Sequence, residues 1–134
     1  MKGIVVASHG LLAKGMEDTL KLFFNNLKQI EFISLKSEDN IDYFFMVMKK
    51  AAERVDTGDG AIIMTDMFGG SPNNCAMRLM QKYDVIAGYN LPLLMEIIVK
   101  RHSDFDIEEL VRNNRDTIIY INEMKIDQIE DEEF

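Results

Sequence analysis

The chain is short of the residues on which several kinds of chemistry depend. Its 134 residues include one cysteine, Cys75, and two histidines, His9 and His102. A lone thiol closes no intramolecular disulfide and no Cys/His cluster has zinc spacing, so neither a metal nor any other cofactor is expected. Basic residues are outnumbered: Lys and Arg total 15 against 23 Asp and Glu, a net charge of −8. Nucleic acid and anionic lipid both call for a basic face, so neither is an expected partner, and a basic protein suits the charge better. No apolar run approaches the ~20 residues of a membrane span. A single Lys2 precedes a short strand-like run where a signal peptide would carry its longer apolar core. A cytoplasmic protein is expected. Phosphate-binding loops are missing too: neither G-x-x-x-x-G-K-[ST] nor a strand-linked G-x-G-x-x-G occurs, which leaves direct use of ATP or a dinucleotide without support.

What is present is an alternation of two periodicities. Gly3-Ile4-Val5-Val6-Ala7-Ser8-His9-Gly10 is a β-branched run that stops abruptly on a polar turn. Such a run reads as a buried parallel strand delivering a histidine to the carboxyl edge of a sheet. Leu12, Met16, Leu20, Phe23 and Leu27 then recur at spacings of three and four, which predicts an amphipathic helix over residues 11 to about 26. A second strand is expected at 30–35. Ser37, Asp39 and Asn40 offer N-caps for a helix whose buried face carries Ile41, Phe44, Phe45, Met48, Ala51 and Ala52. The turn residues Asp56-Thr57-Gly58-Asp59-Gly60 close that helix.

A third strand at 61–65 ends on Asp66 and runs into Met67-Phe68-Gly69-Gly70-Ser71-Pro72. Pro72 fits a first helical position with Ser71 as cap, and Cys75, Ala76, Leu79, Met80 and Tyr83 mark the buried stripe. Further expectations are a fourth strand at 84–88, a helix to about Lys100 after Tyr89-Asn90-Leu91-Pro92, and a short helix at 106–113. A fifth β-prone run, Thr117-Ile118-Ile119-Tyr120-Ile121, precedes an acidic, frayed tail. Strands alternating with helices demand parallel neighbours and right-handed crossovers. The expected fold is therefore a doubly wound α/β domain with four mainly parallel strands flanked by helices. An edge strand left bare invites pairing, and exchanging the 117–121 run with a twin subunit would cover both edges.

The chemistry-bearing residues converge if the first and third strands are neighbours. A neutral imidazole is a good nucleophile that can take up and release a phosphoryl group. It needs a partner on one ring nitrogen to fix the tautomer and leave the other free, and Asp66 is the natural candidate. Phosphoryl oxygens then need donors. The backbone N–H groups of Gly69, Gly70 and Ser71 at a helix start, with the Ser71 hydroxyl, make an anion cradle. Each residue has a plainer reading alone: His9 as a turn histidine, Asp66 as a capping aspartate, the glycines as a tight turn. His102, among Arg101, Ser103 and Asp104 at a helix end, reads as solvated, and Cys75 as a small core residue. Met67 and Phe68 suit an exposed apolar docking patch.

These residues resemble those of the enzyme IIA components of the mannose, fructose and sorbose class of the bacterial phosphoenolpyruvate-dependent sugar phosphotransferase system. The matching pieces are Gly3-Ile4-Val5-Val6-Ala7-Ser8-His9-Gly10, Thr65-Asp66-Met67-Phe68-Gly69-Gly70-Ser71-Pro72 and Gly88-Tyr89-Asn90-Leu91-Pro92-Leu93-Leu94-Met95-Glu96, in order along the chain. Asn73-Asn74-Cys75 departs from the more apolar residues of the pattern. The resemblance implies a phosphotransferase that works through phosphohistidine. His9 would be phosphorylated by the histidine phosphocarrier protein and would pass the group to an enzyme IIB component, serving a membrane permease indirectly. Asp66 matches the aspartate that orients the histidine, Ser71 the serine that touches the phosphoryl group, and Phe68, Gly69 and Gly70 its surroundings. It also implies a homodimer with the swapped strand, while the lack of a linker, low-complexity segment or repeat leads to the expectation of one domain over residues 1–134 with an acidic tail from about 122. Two alternatives stay open. One is the phosphotransferase subunit that serves dihydroxyacetone kinase, which shares the histidine strand. The other is a receiver-like signalling domain phosphorylated on Asp66, whose Mg²⁺ site needs an acidic pair where Ser8-His9 stands.

Overall fold

The computed structural model describes residues 1–125. Four strands, β1 (Gly3–His9), β2 (Ile30–Leu35), β3 (Ala61–Thr65) and β4 (Asp84–Ala87), alternate with α1 (Leu12–Leu20), α2 (Ile41–Val55), α3 (Gly70–Met77) and α4 (Leu91–Lys100). A fifth helix, α5 (Ile107–Asn114), leads into short 3₁₀ turns at Arg115–Thr117 and Ile121–Glu123. The strands form one parallel sheet in the order β2-β1-β3-β4, with Ile4 opposite Ile30 on one side and Ile62 on the other. This is the expected doubly wound α/β architecture. Among the described residues, no helix is long and apolar enough to cross a membrane.

The continuous apolar sequence of β1 follows from its central place, since both its faces are covered. Val5, Ala7 and Ile63 pack against Phe44, Met48, Ala51 and Ala52 of α2 and Cys75 and Ala76 of α3. Ile4, Val6, Ile62 and Met64 pack on the other face against Ala13 and Leu20 of α1, Leu93, Leu94 and Ile97 of α4 and Leu110 of α5. The chain leaves β1 towards β2 through α1, then crosses back over β1 to β3 through α2. The order therefore reverses between β1 and β3, and open α/β sheets bind ligands at the carboxyl end of such a switch point. His9 ends β1 and Asp66 follows β3, so both stand at that crevice.

Caps fix several boundaries. The Asn40 side chain accepts from the Asp42 and Tyr43 N–H groups, Asn90 from Leu93, and Asp106 from Glu109. Of the three caps offered before α2, Asn40 is the one used. Helix α1 is shorter than its periodicity predicts. After Leu20 the bonds tighten to the 3₁₀ type, Leu22 N–H to Thr19 and Phe23 N–H to Leu20, and Leu22 and Phe23 turn outward. Leu12, expected in the core, is exposed as well. Helix α3 begins at Gly70 with Gly69 as its cap, not with Ser71 as cap before Pro72. The cap backbone has φ +88°, which glycine alone adopts freely. Helix α3 also ends at Met77, before the Leu79, Met80 and Tyr83 that extend its expected stripe.

The 117–121 run is no strand in the single chain. Ile118 and Tyr120 have extended dihedrals but join no ladder, and Ile118, Ile119, Tyr120 and Ile121 are exposed, Ile118 at 85%. Its start is tied down: Asn90 Nδ2 donates to Thr117 Oγ1 at 2.6 Å, and that hydroxyl donates to the Asn114 carbonyl at 2.8 Å. The acidic tail expected from about 122 falls mostly outside the described residues.

Candidate functional site

The imidazole of His9 meets the carboxylate of Asp66 across the β1/β3 crevice, with Nδ1 2.9 Å from Oδ2. The same oxygen accepts the His9 backbone N–H at 3.0 Å. An ionised carboxylate has no proton to give, so the proton between the two belongs to Nδ1. That leaves the lone pair on Nε2, the nitrogen facing away from Asp66. Exposure is divided the same way: the imidazole side chain is 46% exposed and the carboxylate 10%. A nearly buried acid thus holds a half-exposed base by one nitrogen and presents the other.

The first turn of α3 lies against that free nitrogen. A Cβ built on Gly70 would stand 3.0 Å from His9 Nε2 and 2.9 Å from Cε1, closer than side chains pack. Gly70 also has φ +81°. Two independent reasons therefore require glycine here, the backbone conformation and the approach of the ring. No side chain caps α3, so its leading N–H groups are open to a ligand, with the partial positive charge of a helix start behind them. Pro72 lacks an N–H, which leaves Gly70 and Ser71 as the first-turn donors of α3. Ser71 is half-buried in that turn, not at the cap position. Substituting Gly70 by Ala is expected to cost about 1–3 kcal/mol in unfolding experiments and to displace the His9 ring, visible as changed imidazole resonances.

Local bonds hold the strand end in shape. Ser8, fully buried, accepts the Ala13 N–H at 2.8 Å and donates to the Gly10 carbonyl at 3.1 Å, bracing the turn into α1. The Gly10 N–H continues the ladder to the Leu35 carbonyl. A serine in an otherwise apolar strand was the available signal for this role. Tyr89, also missed, is buried behind Asp66 at the end of β4. Burial, then the Asp66 charge, push its hydroxyl up to about 12, opposed by Ser8. Tyr89 therefore keeps its proton at neutral pH.

Apolar side chains rim the crevice. Leu11 and Leu12 follow His9, Met67 and Phe68 follow Asp66, and all four are exposed, Phe68 at 79%. Of the residues expected around the phosphoryl group, Phe68 alone carries an apolar side chain, and it points into solvent. His102 is exposed at the amino edge of the sheet, far along the chain fold from this crevice, beside the buried Arg101 whose guanidinium donates to the Lys2 and Gln29 carbonyls. Cys75 is buried in the core, where desolvation pushes its thiol up. Among the described residues, no three His, Cys, Asp or Glu side chains cluster to hold a metal ion.

A family model described as PTS system fructose IIA component matches residues 3–115. The mannose-specific EIIAB component of the phosphotransferase system of Escherichia coli K12 is 30% identical over 111 residues, which are 81% of this chain and 34% of that protein. The chain thus spans about a third of the length of those relatives. The sorbose-specific EIIA component of Lacticaseibacillus casei is 25% identical over 113 residues, covering 81% of this chain and 79% of that one. The crystal structure of the PTS IIA protein associated with the fucose utilization operon of Streptococcus pneumoniae matches with a TM-score of 0.84 at 32% identity. That likeness covers 90% of this chain and 93% of the other.

Proposed function

The chain belongs to the PTS fructose IIA family, the phosphotransferase components of the mannose, fructose and sorbose class, and from that premise we propose that His9 is its phosphoryl-carrying residue. In this reading a histidine phosphocarrier protein brings phosphohistidine to the crevice. The His9 Nε2 lone pair attacks phosphorus, the P–N bond to the donor breaks, and its electron pair returns to the donor imidazole. The positive charge that develops on the His9 ring is stabilised through Nδ1–H by Asp66, 2.9 Å away. The phosphoryl oxygens meet the Gly70 and Ser71 N–H groups and the Ser71 hydroxyl, with Gly69 and Phe68 flanking them. Transfer to an enzyme IIB component is the same displacement with His9 as leaving group, and the phosphoryl group reaches the sugar at the permease, on the cytoplasmic side. The observation that carries this reading is the pairing of a held Nδ1 with a free Nε2 at a glycine-opened helix start.

The exposed rim fits the role. A carrier trades its group between proteins, so it needs an open apolar surface around the nucleophile and not an enclosed pocket. Leu11, Leu12, Met67 and Phe68 supply that surface. The test is incubation with phosphoenolpyruvate, enzyme I and the phosphocarrier protein. The bond formed should be acid-labile and base-stable, and base-lability would point instead to an aspartyl phosphate on Asp66.

Ser71→Ala should do less harm than any change at His9. The backbone donors remain, and one hydroxyl to a charged group is worth at most about 1.5–3 kcal/mol. A loss of transfer equal to that of a His9 variant would give the hydroxyl a part in the chemistry itself.

We also propose that residues 1–134 form one domain that works as a homodimer in which the 117–121 runs are exchanged. Four exposed apolar side chains in succession, Ile118 and Tyr120 of them on extended backbone, in a chain whose sheet ends on β4, favour it. Light scattering should return twice the 15.4 kDa chain mass. A chain truncated after Asn114 should lose the dimer, and a well-folded monomer from both forms would contradict the exchange.

A further inference from the structure

Behind the His9–Asp66 pair, two buried polar atoms face a shared problem. Asp66 spends Oδ2 on both His9 contacts, while its Oδ1 is buried without a hydrogen-bond partner among the described residues. The Tyr89 hydroxyl is buried as well and forms no hydrogen bond of good geometry, with the Ser8 hydroxyl and the Asp66 carboxylate as its polar neighbours. One is an acceptor and the other carries a donor proton, and buried groups of this kind are nearly always paired. Tyr89 is within electrostatic reach of Asp66, and it packs on the face of the sheet covered by α1 and α4. Other donors at the strand end are committed. The Ser8 hydroxyl proton goes to the Gly10 carbonyl, and the His9 N–H groups go to Oδ2. The Thr65 hydroxyl is also buried and unpartnered, but by strand alternation Thr65 faces α2 and α3 with Ile63.

We propose that Tyr89 is a positioning residue of this site: its hydroxyl donates to Oδ1 of Asp66, directly or across one ordered water, and so keeps Oδ2 turned towards His9 Nδ1. A carboxylate held at one end only is free to swing about its Cβ–Cγ bond, and with it goes control of which ring nitrogen carries the proton. The two backbone bonds that end β3, from the Gly88 and Tyr89 N–H groups to the Thr65 carbonyl at 2.9 and 3.2 Å, fix the tyrosine against the residue preceding Asp66. The arrangement is a relay of hydrogen bonds from the core to the nucleophile, Tyr89 to Asp66 to His9, in which only the last member is half-exposed.

The inference rests on the phosphohistidine reading for its kinetic consequence but not for its structural one. Tyr89→Phe removes the hydroxyl and keeps the ring among Ile86, Leu93 and Leu94. Imidazole nitrogen NMR should show His9 of the wild type in a single neutral tautomer protonated at Nδ1, and Tyr89→Phe should give a mixture of the two. Single-turnover phosphorylation by the phosphocarrier protein should slow by about tenfold in that variant, as loss of one hydrogen bond to a charged group implies, with its concentration dependence unchanged. Thr65→Val is the control and should keep the wild-type tautomer. In the wild type itself the Tyr89 hydroxyl proton should be protected from solvent exchange, a measurement that needs no variant. An unaltered tautomer in Tyr89→Phe, a mixture in Thr65→Val alone, or a freely exchanging hydroxyl overturns the assignment. Failure of His9 to be phosphorylated at all would sink the carrier reading and leave the tautomer result to judge Tyr89.

Discussion

His9→Ala should give a folded protein that takes up no phosphoryl group. The imidazole is half-exposed and its contacts are with Asp66 and Gly70, so its removal opens no cavity in the core. Melting should stay within about 1 kcal/mol of wild type, the range of most surface substitutions. Transfer should fall to background, because no neighbouring group can replace the nucleophile. His102 lies at the opposite edge of the sheet, and Asp66 is 90% covered with its Oδ1 buried. Labelling from phosphoenolpyruvate through enzyme I and the phosphocarrier protein reads the result, and residual labelling would name a second acceptor.

Asp66→Asn should be the next most damaging change. An amide can offer its carbonyl oxygen to the same two donors, so the strand ends stay in register and the chain folds. What is lost is the negative charge opposite an imidazole that becomes positive as phosphorus is transferred. If the amide nitrogen faces Nδ1 instead, the ring is forced into the other tautomer and its proton moves to the attacking position. Either outcome removes stabilisation that appears only in the transition state, so the rate should fall by roughly two to four powers of ten. An unchanged rate would reduce Asp66 to a residue that caps the β1 turn through the His9 backbone N–H.

Both residues were legible in the sequence because each ends an apolar run on a polar turn, and parallel sheets put such ends together. The strands at 30–35 and 61–65 carry their boundaries in their β-branched residues, and the turn before Pro92 and the apolar spacing within 106–113 announce α4 and α5, whose caps are Asn90 and Asp106. Three features escaped for physical reasons. Helical periodicity cannot show where bonds tighten to 3₁₀, so α1 read as longer than it is and Leu12 and Phe23 as core. The start of α3 depends on the positive φ of Gly69 and Gly70, which a glycine permits without requiring. Tyr89 follows a glycine in a turn and looks like a strand-end aromatic. Only the folded chain brings its hydroxyl behind Asp66. The 117–121 run shows the limit of propensity itself, since β-branched residues make a strand only where a ladder exists for them to join.

The central claim is that Asp66 holds Nδ1 and leaves Nε2 to carry phosphorus. Phosphorus NMR correlated with the imidazole nitrogens of the phosphorylated protein, kept alkaline to preserve the bond, tests it directly. The account predicts a single phosphohistidine at His9 with phosphorus on Nε2 and none on Nδ1. Phosphorus on Nδ1, or on the carboxylate of Asp66, would contradict it.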